Sequence, residues 1–417
     1  MKKILCLLLT AVLFAGCANV NQIPQITKGY QADQQVTNLE ETGTAEEILA
    51  ARRKIVVDEM RAMMTVLWTP DRTVTYNIDG LPAGSTEIVL RKDVVYQGIP
   101  YTNGHCSGYS FLFYATGEDN GVYTLSGLTS DSLSGAGIAR VGNSCSSAIA
   151  WSWGRIGNSF SFSGTKWMTE TNGCLKVGDY VFDGVNYGDT TSVAICQENG
   201  PKKMYECYAQ LLPGDAMVQR TLTHGHSVMI SDVNVVYKAD GSVDGDASTV
   251  TILDQSYTGE IKQPTVNVEG VGPVVVLQEV DWVRSFAQIY TAGYLPITIR
   301  ELQDPSALPP VEITDYTDAP TVENMFSGNV ESNYRIAYIT VTVYDKKDRA
   351  VQEATCFSKN SEEYKFDLSR FPQDAAQGKV QGTLDLDTLP KGEYRCSFTC
   401  RVSTGEMITF RDFTFEK

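Results

Sequence analysis

Cys145, His226 and the adjacent Asp254 and Gln255 follow one another along the chain in the order nucleophile, base and orienter. A thiol acts as a nucleophile when it ionises, when a nearby imidazole takes and returns its proton, and when a third polar group fixes that imidazole. A helix N-terminus favours the ionised sulfur. Cys145 has that setting, because "VGNS" reads as a loop and "SSAIAWSW" after it as an apolar helix. The small Ser146, Ser147 and Ala148 let another element approach its first turn. Histidine is scarce: His105, His224 and His226 are the three in the chain. His226 heads an apolar strand, whereas His224 reads as a turn residue and His105 as loop packing or solvent-facing. Asp254 and Gln255 close the strand "TVTILDQ" and point to opposite faces, so only one of them can touch His226. Three histidines and scattered acids give no metal-ligand spacing, so no metal and no cofactor is expected.

Several elements must position these groups. Thr44 opens a helix, with Glu47 completing a capping box. Ile48, Ala51, Ile55, Met60, Met63, Met64 and Leu67 then recur at helical spacing, and Pro70 is the expected stop. Residues 115–144 are rich in Gly, Ser, Asp and Asn and read as an irregular excursion with room for a hairpin. Trp151 and Trp153 read as core. Within "LLPGDAMVQRTLTHGHSVMISDV" a Pro213-Gly214-Asp215 turn precedes one strand, and His226 starts the next. "STVTILDQSY" and "GPVVVLQEVDWV" continue the sheet, so residues 44–301 read as one α+β domain. Residues 302–320, "DPSALPPVEITDYTDAP" at their centre, read as a linker. Residues 321–417 alternate apolar and polar residues between turns with no helical run, which predicts a β-sandwich, immunoglobulin-like.

A nucleophile helix feeding a sheet whose neighbouring strands carry a histidine and its orienter is a papain-like layout. Over residues 95–260 the chain resembles the NlpC-type cell-wall cysteine peptidases and the related CHAP amidases. "GIPYTNG" is similar to the Gly-x-Pro-Tyr stretch of those enzymes, "NSCSSAIAW" to their nucleophile helix, "LLPGDAMV" to their Leu-x-Pro-Gly-Asp turn and "GHSVMISD" to their histidine strand. The resemblance implies Cys145 as nucleophile, His226 as base and then acid, Asp254 or Gln255 as orienter, and Tyr101 beside the nucleophile as an oxyanion donor. It also implies hydrolysis of amide bonds in peptidoglycan peptides. Cys106, in "GHCSGYSFLFY", matches the family's Cys-Ser-Gly wording and is the alternative nucleophile. It follows Tyr101 at short spacing, and Gly108 weakens the helix behind it. A transglutaminase-like hydrolase and a non-catalytic surface-binding lipoprotein with a degenerate papain-like domain are the other readings.

The N-terminus says where this chemistry takes place. Lys2 and Lys3 precede an apolar run from Ile4 to Phe14, and Ala15-Gly16-Cys17 ends it. The run is too short to span a membrane and reads as a signal peptide. Its ending resembles the lipobox of bacterial lipoproteins, which implies lipid on Cys17, loss of residues 1–16 and an extracytoplasmic membrane anchor. The polar residues 18–43 then form a flexible tether. The whole chain carries −16, so without Lys2 and Lys3 the mature chain carries −18. Nucleic acid is thereby an unsuitable partner. Of the ten cysteines, Cys396 and Cys400 share one strand about 13 Å apart, too far to bridge. Cys356 is left as a possible partner for either.

Overall fold

The computed structural model describes residues 43–77, 87–104, 106, 108–112, 114–134, 141–162, 164–182, 190–256, 264–317, 320–359, 363–376 and 380–417. The signal, Cys17, all but the last residue of the tether, and His105 lie outside the described residues.

The first helix, Ala45–Thr65, begins at the expected capping box. The Thr44 amide donates to Glu47 Oε2 at 2.8 Å, and the Glu47 amide donates to Thr44 Oγ1 at 3.3 Å. It ends before Pro70, because Leu67–Pro70 is a strand between Val95–Gln97 and Val122–Leu125. Its buried face is also rotated from the apolar pattern. Val56, Met60, Met63 and Met64 are buried together with Arg52 and Glu59, whereas Ala51 is exposed. The two charges are buried because each finds partners. Arg52 donates to the carbonyls of Glu301, Asp304 and Ser306 at 3.0, 2.7 and 2.7 Å, and Glu59 pairs with Arg155 at 3.6 Å.

The architecture is α+β and rich in sheet. One six-stranded sheet runs in the order Glu279–Ser285, Thr249–Asp254, Gly225–Asn234, Ala216–Arg220, Leu295–Ile299, Cys174–Lys176, with every pair antiparallel. A second, mixed sheet holds Leu67–Pro70 and the hairpin Ala115–Asp119/Val122–Leu125 expected in the irregular excursion. The helix Cys145–Gly154 lies between the first helix and the Gly225–Asn234 strand, and all of its residues are buried. Trp153 anchors it by donating to the Gly214 carbonyl at 2.8 Å. Trp151 and Trp153 are core, as their apolar setting suggested.

Beyond residue 304 a second core forms between a three-stranded sheet (Ile313–Asp315, Asn329–Ser332, Lys365–Asp367) and a five-stranded sheet centred on Ile336–Asp345. Three expectations change here. The expected linker is fixed at both ends: Arg52 holds Asp304 and Ser306, while Ile313–Asp315 is a strand whose Asp315 binds Arg411 at 2.7 Å. Its Pro and Asp residues signalled irregular backbone, not mobility. A helix, Arg370–Ala376, interrupts the strands, held by Phe371 stacked on Phe326 at 5.3 Å and by Arg370 paired with Glu363 at 2.7 Å. All eight described cysteines are buried, and no disulfide joins any of them among the described residues. Cys356 and Cys400 flank Ile339 from its two sides, so a whole strand separates them, roughly 9–10 Å.

The two cores meet through buried groups. The guanidinium of Arg335, fully buried, lies 3.8 Å from the Phe160 ring centroid and donates to the Phe160 carbonyl. Tyr338 belongs to the first core, and Phe357 stacks on Tyr114 at 6.5 Å. Residues 44–303 expressed alone should therefore be insoluble or melt well below the whole chain, since the Phe160 carbonyl and the ring of Tyr114 lose their cover. A soluble fragment with an unchanged cooperative melt, followed by circular dichroism, would contradict this.

Candidate active site

The site is assembled at the N-terminus of the Cys145–Gly154 helix. Ser144 caps it: the Ser147 amide donates to Ser144 Oγ at 3.4 Å, and the Ser144 amide donates to Ser147 Oγ at 2.9 Å. Ser147 Oγ also donates to the Gly104 carbonyl at 3.1 Å, tying the 101–104 loop to the same turn. That loop runs against residues 141–143. The Thr102 amide donates to the Asn143 carbonyl at 3.1 Å, the Asn143 amide donates to the Pro100 carbonyl at 3.2 Å, and Tyr101 bridges Asn143 in parallel. Gly142 makes the approach possible. Its φ is +95°, and a Cβ there would sit 2.6 Å from the Pro100 oxygen and 2.5 Å from Thr102 Cγ2. Tyr101 is thus placed over Cys145.

His226 and Asp254 come from neighbouring strands of the antiparallel sheet. Asp254 ends one strand and His226 starts the other, so the side chains meet at one edge. His226 Nε2 lies 2.7 Å from Asp254 Oδ1. The ring also acts on Cys145, whose thiol feels its hydrogen bonding and its charge. Gln255 turns the other way. Its Nε2 donates to the Ile99 carbonyl at 3.0 Å and to the Asn143 carbonyl at 3.4 Å, so it supports the loop under Tyr101 and does not orient His226. His224 is an exposed turn residue whose Nδ1 pairs with Thr223 Oγ1 at 2.7 Å. Cys106 is buried beside the loop: its amide donates to the Gly142 carbonyl at 3.0 Å, and its carbonyl accepts from Asn143 Nδ2 at 3.3 Å.

The electrostatics favour charge separation. Burial of Cys145 works against its ionisation, but the hydrogen bond and charge of His226 and contacts from Ser227 outweigh it, and its thiol is held below the ordinary value of 9.0. Burial likewise opposes the imidazolium of His226, yet Asp254 and the Cys145 sulfur hold its pKa well above 6.5. Tyr101 is pushed the other way, first by the negative charge of Cys145 and then by burial, so its phenol stays protonated. Its oxygen is within hydrogen-bond reach of both the sulfur and the backbone N–H of Cys145. A thiolate, an imidazolium and a neutral phenol beside them are parts that acyl transfer can use.

Sequence reasoning missed three contributors. Ser227, fully buried, favours the ionised form of the Cys145 thiol. Asn143 holds the Tyr101 loop. Glu279 sits opposite Asp254 in the sheet. A serine directly after the strand-leading histidine was a readable signal; the other two depend on pairings between distant segments.

No protein-family model matches the chain, and no curated protein matches it. Among solved structures, a tetra-tandem repeat in the extending region of a large adhesion protein aligns over 48% of this chain at 14% identity and a TM-score of 0.17. The aligned part is 40% of that neighbour's length. At that TM-score the likeness bears on neither fold nor site.

Replacing Asp254 by Asn should lower the pKa of His226, since the largest of the groups that offset its burial loses its charge. Gln255→Ala should leave it raised. Titration of the His226 ring protons by NMR checks both, and equal effects of the two variants would contradict the assignment.

Proposed function

We propose that this chain is an extracytoplasmic cysteine hydrolase of papain-like fold that cleaves amide bonds in peptides, with peptidoglycan peptides as its substrate class. The observation that carries the reading is the contact between His226 and Asp254, with Nε2 and Oδ1 2.7 Å apart, beside a Cys145 thiol whose ionisation His226 favours. The NlpC-type motifs around Tyr101, Cys145, Asp215 and His226 suggest the substrate. The two C-terminal sheets are read as an immunoglobulin-like module that covers one side of the hydrolase unit, and Cys17 as a lipidated anchor.

In this mechanism the Cys145 thiolate attacks the carbonyl carbon of the amide. The carbonyl oxygen takes the negative charge and is held by the Tyr101 hydroxyl and the Cys145 amide. His226 imidazolium gives its proton to the leaving nitrogen, the C–N bond breaks, and a thioester remains on Cys145. The neutral imidazole then takes a proton from water, hydroxide adds to the thioester, and the acid product leaves as the thiolate and imidazolium are restored. Asp254 keeps the ring in place throughout and stabilises its charged form.

The two pKa shifts run in opposite directions, which widens the range in which thiolate and imidazolium coexist. The acid limb of kcat/KM should follow protonation of Cys145 below its ordinary 9.0, and the alkaline limb should follow loss of the His226 proton above 6.5. Cys145→Ala should abolish release of new termini from peptidoglycan fragments, detected by amine labelling. Cys106→Ala should retain turnover. Loss of turnover in Cys106→Ala with an unchanged melt, or its survival in Cys145→Ala, would overturn the assignment. For the anchor, Cys17→Ser should shift the protein from the membrane fraction to the soluble one. A Cys17→Ser protein that still incorporates labelled fatty acid would refute lipidation at that residue.

A further inference from the structure

Three half-buried polar side chains form a row where the His226 strand begins. The sheet register sets the row. Gln219 is the direct partner of His226, and Leu295 is the direct partner of Val218. Tyr294, one residue before Leu295, therefore stands opposite Gln219 and two strands from His226, roughly 9–10 Å from backbone to backbone. Residues directly opposite one another share a face, so Gln219 and Tyr294 share the face that carries the His226 side chain. The row is open to solvent: 24% of the His226 side chain is exposed, and Gln219 and Tyr294 are half-buried.

The backbone of Tyr294 is fixed from several directions. Its amide donates to the Ile289 carbonyl at 3.0 Å, and its carbonyl accepts from the Tyr208 hydroxyl at 2.7 Å and the Cys196 thiol at 3.7 Å. Gly293 before it ends the helix Phe286–Ala292 at φ +75°, packed where a Cβ would lie 2.5 Å from Val193 Cγ2. The tip of the side chain is treated differently. Its hydroxyl makes no hydrogen bond to a described residue, and it is not sealed from solvent as the unpartnered Gln255 Oε1 is. Burial of the ring raises the phenol pKa above its ordinary 10.0; His226 opposes this, and Asp254 and Cys145 add to it. The hydroxyl is thus a protonated donor within electrostatic range of all three. A rigidly held side chain with an open polar tip is what a preorganised substrate contact requires.

The two sides of His226 differ. On one side come two acids, Asp254 and its strand partner Glu279; on the other come Gln219 and Tyr294, both neutral. Tyr101 enters from the acidic side, on the loop that Gln255 holds by the Ile99 carbonyl at 3.0 Å. The two phenols therefore approach from opposite sides, and successive carbonyls of an extended peptide also point to opposite sides. We propose that Tyr294 is a substrate-binding residue, donating its hydroxyl proton to the carbonyl of a second amide next to the bond presented to Cys145. This deepens the hydrolase reading and rests on it. The site then selects peptides with at least two consecutive amide units over a lone amide, because the neutral hydroxyl gains its partner only from the second unit.

The preference can be measured without knowing the natural substrate. Cys145 in the full chain is alkylated at pH 7.5 with two reagents that share one reactive group, chloroacetone and acetyl-alanyl-alanyl chloromethyl ketone. In both cases the thiolate displaces chloride and forms a thioether, and mass spectrometry of the Cys145 peptide gives the second-order rate. The ratio of peptidyl to chloroacetone rate cancels any difference in thiolate reactivity. In the wild type the peptidyl reagent should react faster. The ratio should fall about five- to tenfold in Tyr294→Phe, as expected for loss of one hydrogen bond from an uncharged donor. The phenylalanine keeps the ring and removes only an unpartnered hydroxyl, so the melt should stay unchanged. An unchanged ratio in Tyr294→Phe, or a wild type that shows no advantage for the peptidyl reagent, overturns the subsite and leaves the hydrolase reading standing. If neither reagent modifies Cys145 until the protein is unfolded, the hydrolase reading itself fails.

Discussion

The short contact between His226 and Asp254 is the constraint on which the rest of the site depends. Cys145 and Asp254 are buried and His226 is half-buried between them, and each alone would resist ionisation there. Asp254 offsets the burial of His226, and His226 in turn offsets the burial of Cys145. The charges are stable as a line and not as separate groups. This explains why the sheet register matters: a slip of one residue between the Gly225–Asn234 and Thr249–Asp254 strands would turn Asp254 to the other face and Gln255 to His226. A neutral amide in that place orients a ring but supplies no charge to hold it protonated.

The scaffold is built to prevent such a slip. Asp215, buried at the start of the next strand, pairs with Arg53 at 2.9 Å and accepts from Thr298 at 2.6 Å, which fixes the sheet to the first helix. Gln255 and Gln278 both donate to the Ile99 carbonyl, at 3.0 and 2.8 Å, and so tie the loop that carries Tyr101 to the far side of the same sheet. The nucleophile helix is held at one end by Ser144 and Ser147 and along its length by Trp153. The C-terminal sheets add a buried Arg335 under Phe160, the residue whose ring packs at 5.5 Å on Trp153. The second unit thus bears on the helix that carries the thiol through two aromatic contacts.

Much of this was legible where the cause is local. The Thr44–Glu47 capping box, the helix after Ser144, the Pro213-Gly214-Asp215 turn and the placement of His226 at a strand start each depend on a few adjacent residues. What failed was non-local. Leu67–Pro70 continued a helical pattern until two partner strands claimed it. Arg52 and Glu59 broke the apolar face of the first helix, and only the Glu301–Ser306 carbonyls and Arg155 explain their burial. The Pro-rich segment read as a linker because nothing nearby in sequence announces that Arg52 and Arg411 hold its two ends. Asp254 and Gln255 were equal candidates until strand pairing decided which one faces the ring.

The central claim is that Cys145 is a thiolate because His226 is charged beside it. The direct measurement is the rate of iodoacetamide alkylation of Cys145 as a function of pH, in the wild-type chain and in His226→Ala. The wild type should react with an apparent pKa below 9.0, and the variant should react with a higher one, since only the Ser227 contacts then oppose burial. Identical profiles in the two proteins would contradict the ion pair and, with it, the mechanism.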